Sequence, residues 1–467
     1  MSTKAARSEE DLRLSRCPTG VPGFDEVTEG GLVRGTLTLL AGNPGTGKTL
    51  FAARFIYTGA TKWNEPGVYV SFAEPRKRFY EFMRQFDMDF ESLEAKGLFS
   101  FIQIPTAISR EAVATLTDNI FKTVMRIGAK RLVIDSITPL MHILGPIETR
   151  AMLHNAIYNL ALLFNVTSIL IADLPIGEQR IGYSVEEFIA DTVIILKLDY
   201  SKPGSYRRYM NIIKMRGTSL AEVSLEYSIM PKLGLVVHTP LSLGRTYISR
   251  SERINTYIEG LDNLLGGGII KGSSTLIIGP SGSGKTLLTL SIAAENVKHG
   301  NNVLYISFDE PVSQLAETLS LLGYNHQQLE ATGLKIVYVD PYTVTPGRLR
   351  HLMKDLVMGK GFGKDLVIID GLSALYRILD EEEFTRVSEE LVLLFKNEGI
   401  SLIMNMARDY FQEGGLLETI ADNILVLRIN PGSTQVRREL IILKSRMNIV
   451  DNRWHELALE EGRLKVI

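Results

Sequence analysis

The chain has 467 residues, 45% of them hydrophobic and 22% charged, a globular composition on a length too great for one ordinary core. A net charge of −2 gives no overall attraction to nucleic acid or anionic membrane. The single cysteine, Cys17, excludes an intrachain disulfide framework and a cysteine zinc cluster, and no apolar run approaches membrane-spanning length, so a soluble, cytoplasmic chain of two or three domains is expected.

Residues 1–13 read as a tail without the apolar core of a signal peptide. A glycine-rich lead, GVPGFDEVTEGGLVRG (20–35), is followed by the apolar run TLTLLAG, the stretch GNPGTGKT (42–49) and the helix-forming run LFAARFIY. This is the strand–loop–helix order of a phosphate-binding loop, G-x-x-x-x-G-K-[ST]. Gly42, Asn43, Pro44, Gly45, Thr46, Gly47, Lys48, Thr49 and Leu50 are the expected nucleotide-binding residues. Glycines let backbone N–H groups close around phosphate oxygens, the lysine faces the β- and γ-phosphates, and the threonine hydroxyl serves Mg²⁺.

Next comes GVYVSFAEP (67–75), a strand ending in Glu74, where a carboxylate can orient or deprotonate water for ATP hydrolysis. Because proline follows, Glu74 also suits a helix cap. RLVIDS ends its apolar strand in Asp135, the expected Mg²⁺ carboxylate. Later, EEFIADTVIILKL precedes NIIKMRG, which carries Lys214 and Arg216. At i and i+2 on a strand these cations share a face, as a clamp on a transferring phosphoryl group requires, and equally as a solvated edge requires. Spacing alone leaves both readings open.

The whole series then repeats. The lead TYIEGLDNLLGGGIIKG (256–272) precedes STLIIG, GPSGSGKT (279–286) and LLTLSIAAENV, so Gly279, Pro280, Ser281, Gly282, Ser283, Gly284, Lys285, Thr286 and Leu287 form a second expected nucleotide loop. NVLYISFDEP brings Asp309 and Glu310, LVIIDG brings Asp370 as a second metal carboxylate beside Thr286, and IILKSRM brings Lys444 and Arg446. Lys285 follows Lys48 by 237 positions, Glu310 follows Glu74 by 236, Asp370 follows Asp135 by 235 and Lys444 follows Lys214 by 230. Two copies of one domain are therefore expected, at 14–240 and 254–467, joined by 241–253. In each, strands alternating with amphipathic helices predict an α/β fold with a mostly parallel sheet, helices on both faces and phosphate at the carboxyl ends of the strands.

The leads, both loops, the acidic turns, EEFIADTVIIL and KMRGTS together resemble the KaiC family, the circadian-clock ATPases of the RecA superfamily, over roughly residues 14 to 460. The resemblance implies tandem RecA-like P-loop domains in a two-ringed homohexamer, with ATP and Mg²⁺ between neighbouring subunits. It implies that Lys214, Arg216, Lys444 and Arg446 reach a neighbour's γ-phosphate. The family pattern has two adjacent glutamates at the acidic turn, the first being the usual catalytic base. Here Ala73 and Asp309 stand at that place, which puts first-domain hydrolysis in question, and Met447 replaces the usual glycine after the second arginine. The family's phosphorylated Ser–Thr pair corresponds to Glu418 and Thr419, so only Thr419 is an expected phosphoacceptor, and Glu187 and Phe188 offer none in the first copy.

The expected function is an oligomeric ATPase, with autokinase activity as an option, acting as a switch or scaffold toward an unidentified protein partner. The alternative is a RecA-type motor acting on DNA, for which RKRFY (76–80) and SYRRY (205–209) are the best segments. The loop candidates DLPIGEQRIGYSVEE and ARDYFQEGGLLE lean acidic, so nucleic acid is not an expected partner.

Overall fold

The computed structural model describes residues 14–104, 110–145, 148–149, 151, 160–161, 163–174, 190–200, 207–220, 223–239, 252–359, 363–408, 417–431, 436–446, 448, 450–460 and 462–467. The chain divides into two compact units, Met1–Thr239 and Pro240–Ile467.

In the first unit a short ribbon pairs β1 (Arg16–Cys17) with β2 (Leu32–Val33). The main sheet contains β3 (Leu37–Gly42), β4 (Gly67–Ser71), β5 (Phe99–Gln103), β6 (Arg131–Asp135), β7 (Thr167–Asp173), β8 (Thr192–Asp199), β9 (Arg207–Met215), β10 (Ser224–Met230) and β11 (Gly234–Val237). Its order is β11-β10-β9-β8-β3-β7-β6-β4-β5, with β8 through β5 parallel and the three strands beyond β8 antiparallel.

The second unit repeats the plan. A ribbon of β12 (Arg253–Ile254) and β13 (Ile269–Ile270) precedes β14 (Ser274–Gly279), β15 (Val303–Ser307), β16 (Leu334–Tyr338), β17 (Leu366–Asp370), β18 (Ser401–Ala407), β19 (Asn423–Pro431), β20 (Val436–Ser445), β21 (His455–Glu460) and β22 (Arg463–Val466). Their order, β16-β15-β17-β18-β14-β19-β20-β21-β22, is that of the first sheet with every strand advanced by eleven.

The central strands are apolar at successive positions because both faces are covered, and side chains alternate between faces along a strand. Leu40, Tyr69, Val133 and Ile169 pack with Phe51 and Phe55 of the helix Lys48–Trp63. Leu39, Val68, Leu132 and Leu170 pack on the opposite face with Leu116 and Ile120 of the helix Arg110–Ile127. In the second unit Tyr305 and Ile368 face the helix Lys285–Lys298, while Leu304 and Val367 face Leu391 and Phe395 of the helix Glu381–Asn397.

The two leads form the same turn. The Asp25 carboxylate accepts from Thr19 N (2.9 Å) and Gly20 N (2.8 Å), and Asp262 accepts from Thr256 N (2.8 Å) and Tyr257 N (3.0 Å). Gly20 takes the left-handed conformation at φ 72°, and Tyr257 adopts it at φ 56° despite its side chain.

A buried polar contact is solved differently in each copy. In the first unit Arg131, wholly buried, donates from Nη1 to the carbonyls of Pro18 (2.7 Å) and Phe55 (2.6 Å) and pairs through Nη2 with Glu65 (2.7 Å). In the second unit Asn296 Nδ2 donates to the corresponding carbonyls, of Asn255 (3.0 Å) and Ile292 (2.9 Å), and Leu366 stands where Arg131 did. Gly59 stands in the place of Asn296, and a Cβ there would lie 2.1 Å from Arg131 Nε.

Candidate nucleotide and metal site

Each phosphate loop joins the carboxyl end of the middle strand to a long helix, β3 to Lys48–Trp63 and β14 to Lys285–Lys298. The loops follow the glycine pattern because Gly45 and Gly47 (φ 78° and 91°), and Gly282 and Gly284 (φ 79° and 97°), take left-handed dihedrals. Gly42 and Gly279 answer to packing instead, since a Cβ would lie 2.6 Å from Leu196 O and 2.5 Å from Leu427 O. Pro44 and Gly45, like Pro280, Ser281 and Gly282, stand exposed at the loop tips, whereas Thr46 and Ser283 are buried beneath them. Asn43 O accepts from Thr46 Oγ1 (2.7 Å), and Tyr227 closes the loop from below by donating to Thr46 O (2.6 Å). Leu50 is buried and Leu287 half-buried, so the helix after each loop is anchored in a core.

The lysines curl back over their loops. Lys48 Nζ donates to the carbonyls of Gly42 (2.8 Å) and Asn43 (3.0 Å), and Lys285 Nζ to those of Gly279 (2.8 Å) and Pro280 (2.9 Å). Burial pushes the Lys285 ammonium below the usual lysine range, opposed by Asp370 and Asp309.

The metal-site candidates converge as well. Thr49 Oγ1 donates to Asp135 Oδ2 at 2.8 Å, and Thr286 Oγ1 to Asp370 Oδ1 at 3.4 Å. Tyr69 and Tyr305, both buried, donate to the same carboxylates at 2.6 Å. Burial raises Asp135 and Asp370 above the usual carboxylate range, with these hydroxyl bonds acting against it. No group of three or more His, Cys, Asp and Glu suited to a metal occurs among the described residues. That donor set fits Mg²⁺, which keeps several waters and takes one or two protein oxygens plus phosphate oxygens.

At the acidic turns, Ser71 Oγ accepts from Glu74 N and Ser307 Oγ from Glu310 N, both at 3.0 Å. The following helices have Pro75 and Pro311 at their N-caps with no side-chain capping bond, so Glu74 and Glu310 are not cap residues. Burial raises both carboxyls, reinforced by the charge of Asp135 at Glu74 and of Asp370 and then Asp309 at Glu310. Asp309 is raised by burial and Asp370, with Arg377, 3.5 Å away, opposing.

The basic pairs lie elsewhere. β9 ends at Met215 and β20 at Ser445, so Arg216 and Arg446 stand one residue past their strands. A one-residue bulge breaks the register before Lys214 and at the matching point before Lys444. Lys214 Nζ donates to Ala190 O (2.6 Å) and Lys444 Nζ to Glu418 O (2.8 Å). Arg216 pairs with Asp191 (3.3 Å) and Arg446 with Asp422 (3.4 Å), and Arg446 Nη2 donates to Thr419 O (3.0 Å). Asp191 also accepts from Leu37 N (3.3 Å) and Asp422 from Ser274 N (2.9 Å), at the beginnings of β3 and β14. The pairs therefore gather at the amino ends of the parallel strands, where Thr38 pairs with Thr192, whereas Gly42 of the loop pairs with Leu196. Four residues of strand, about 13 Å, separate the two levels. Thr419 is exposed on the short helix Leu417–Ile420, at the same end as Arg446. Met447, Glu187 and Phe188 lie outside the described residues.

Sequence reasoning passed over Tyr69, Tyr305 and Asp173. The tyrosines carried a signal, since they occupy one position of the repeat in GVYVS and NVLYIS. Asp173, at the end of β7, sits 3.2 Å from Lys48 Nζ.

Among the described residues no helix is long and apolar enough to cross a membrane. A family model described as "ATPase: KaiC" matches residues 17–242 and again 254–467. The chain is 29% identical to the Circadian clock protein KaiC3 of Synechocystis sp., over 98% of this chain and 93% of that protein. It is 28% identical to the Circadian clock oscillator protein KaiC of Thermostichus vulcanus, over 97% of this chain and 88% of that one. Against the protein of the same name from Prochlorococcus marinus the identity is 27%, over 99% and 93%. With both halves matched by one family model, the chain belongs to the KaiC ATPase family.

Proposed function

We propose that the chain binds ATP with Mg²⁺ at both loops and hydrolyses it as a homo-oligomer, a hexamer by family resemblance, with units at 14–240 and 254–467 joined by 241–253. The observation that carries this reading is the duplicated set of loop lysine, metal-site threonine and buried aspartate, brought together in each unit. Lys48 and Lys285 hold the β- and γ-phosphates, and Thr49, Asp135, Thr286 and Asp370 hold the metal. Mg²⁺, when bound, neutralises charge on the phosphate oxygens. In the second unit Asp309 and Glu310 orient water and take its proton, a role suited to carboxyls whose proton affinity burial has raised. Glu74 alone remains for that role beside Ala73.

Because Lys214, Arg216, Lys444 and Arg446 lie at the end of the sheet away from their own loops, they serve the γ-phosphate of a neighbouring subunit. Thr419 lies beside Arg446, so a phosphoryl group presented there meets this hydroxyl too, and the chain acts as a nucleotide-dependent switch or scaffold for a protein partner. Among the described residues the DNA-acting alternative gains no observation, and most of the two acidic loop candidates and the start of SYRRY lie outside them. In RKRFY, Arg76 pairs with Glu94, Tyr80 OH donates to Glu94 (2.7 Å) and Phe79 is buried, so one of its cations and both aromatics are engaged within the unit.

The test uses purified chain, Mg²⁺ and ATP labelled at the γ-phosphate. Free labelled phosphate is the expected product, and its absence sinks the ATPase reading. Label retained on the chain and lost in Thr419→Ala identifies the autokinase, whereas label found only as free phosphate excludes it. In a Lys285→Ala background, which isolates the first unit, Ala73→Glu is expected to raise ADP production at least about tenfold, the lower side of what a positioned base contributes. An unchanged rate would show that Ala73 does not limit that unit.

A further inference from the structure

The two loop lysines are not equally available to a phosphate. An ammonium has three N–H donors. Lys285 spends two on Gly279 O and Pro280 O, and no carboxylate among the described residues pairs with it. Lys48 spends two on Gly42 O and Asn43 O and directs its ammonium at Asp173 Oδ1, 3.2 Å away.

The Asp173 carboxylate is fixed from its other side, where Oδ2 accepts from Ser136 Oγ at 2.7 Å, and its backbone N donates to Thr138 Oγ1 at 3.0 Å. It thus bridges the loop lysine and the residue following Asp135. A triphosphate held by Lys48, with its metal at Asp135, would bring its terminal phosphate to the same ammonium that Asp173 engages. The second unit has Ala407 at this place, set beside Gly279 as Asp173 is beside Gly42, and carries its extra carboxylate at Asp309.

We propose that Asp173 is an internal competitor for the terminal phosphate of a nucleoside triphosphate in the first unit, bound to Lys48 until the nucleotide displaces it. The proposal rests on ATP binding at these loops and adds a discrimination that motif and family do not contain. Either nucleotide must draw Lys48 off the carboxylate, but only a triphosphate then sets a further charged phosphate beside Asp173. The first site therefore favours ADP relative to ATP more than the second does, and Asp173 is a residue setting nucleotide specificity.

The test measures binding of ADP and of an ATP analogue with a nitrogen bridge between its β- and γ-phosphates. It uses the full chain with Mg²⁺ in the Lys285→Ala background, by titration calorimetry. Asp173→Asn keeps the shape and removes the charge. It is expected to tighten the triphosphate analogue roughly fivefold, the upper reach of a part-exposed ion pair, and ADP by less than twofold. Ala407→Asp in the Lys48→Ala background is the reciprocal experiment, expected to weaken the analogue by a similar factor. It keeps the idea open to refutation even where Asp173 variants fold poorly. Unchanged or weaker analogue binding in Asp173→Asn overturns the competitor alone, as does equal tightening of both nucleotides. Failure of the unsubstituted chain to bind either nucleotide overturns ATP binding and the competitor together.

Discussion

Replacing Asp370 by asparagine is expected to lower ATP turnover by the second unit by about a hundredfold, the scale on which removal of one preorganised charged group is felt in catalysis. The substitution is nearly isosteric, and an amide oxygen still accepts the 2.6 Å bond from Tyr305, so the strand end keeps its shape. What disappears is the negative charge beside Thr286 and Lys285, the part that draws a divalent cation into a buried position. Turnover is measured as ADP release in a Lys48→Ala background, which removes the first unit's contribution. Binding of Mg²⁺-free nucleotide should change little, since the loop itself is untouched. A rate within threefold of the parent would mean that Asp370 is a structural carboxylate and that the metal is held elsewhere.

The second large effect concerns stability. Arg131→Leu installs the residue found at the same place in the second unit, yet it is expected to cost about 3 kcal/mol, because it strips two buried carbonyls of their donor and Glu65 of a charge partner. Gly59→Asn alone is expected to cost a similar amount, since its Cβ would meet the guanidinium at 2.1 Å. Together the two changes reproduce the arrangement of Asn296 and Leu366, in which one amide serves the matching carbonyls. The double variant should therefore recover roughly half or more of the summed loss, a coupling that denaturant titration of all four proteins reads directly. Strict additivity of the two losses would refute the exchange.

Those two residues also show where sequence reading stops. The mostly parallel sheet, the loop helices and the convergence of Thr49 with Asp135 were legible because each rests on local pattern: an apolar strand, a glycine spacing, an acidic terminus. Repetition at nearly constant offset then tied the local patterns into two whole units. Arg131 was not legible, because at the start of RLVID a charged residue looks like a strand edge, and only the packing of Gly59 and the lead turns it inward. The bulge before Lys214 was equally hidden, since an extra residue in one strand leaves no mark on composition. Tyr69 reads as an ordinary β-strand aromatic until its hydroxyl is seen on Asp135. Asp173 reads as the end of a strand until Lys48 is placed beside it.

The aspartates that hold the edge arginines have one more consequence. Asp191 and Asp422 each grip both an arginine and the first backbone amide of the strand that leads to the phosphate loop. Lys396 adds a third hand at Asp422, 2.7 Å away. The phosphate loop lies at the far tip of that same strand, six residues on. One carboxylate in each unit thus joins the rim arginine to the root of the strand that ends in the phosphate loop.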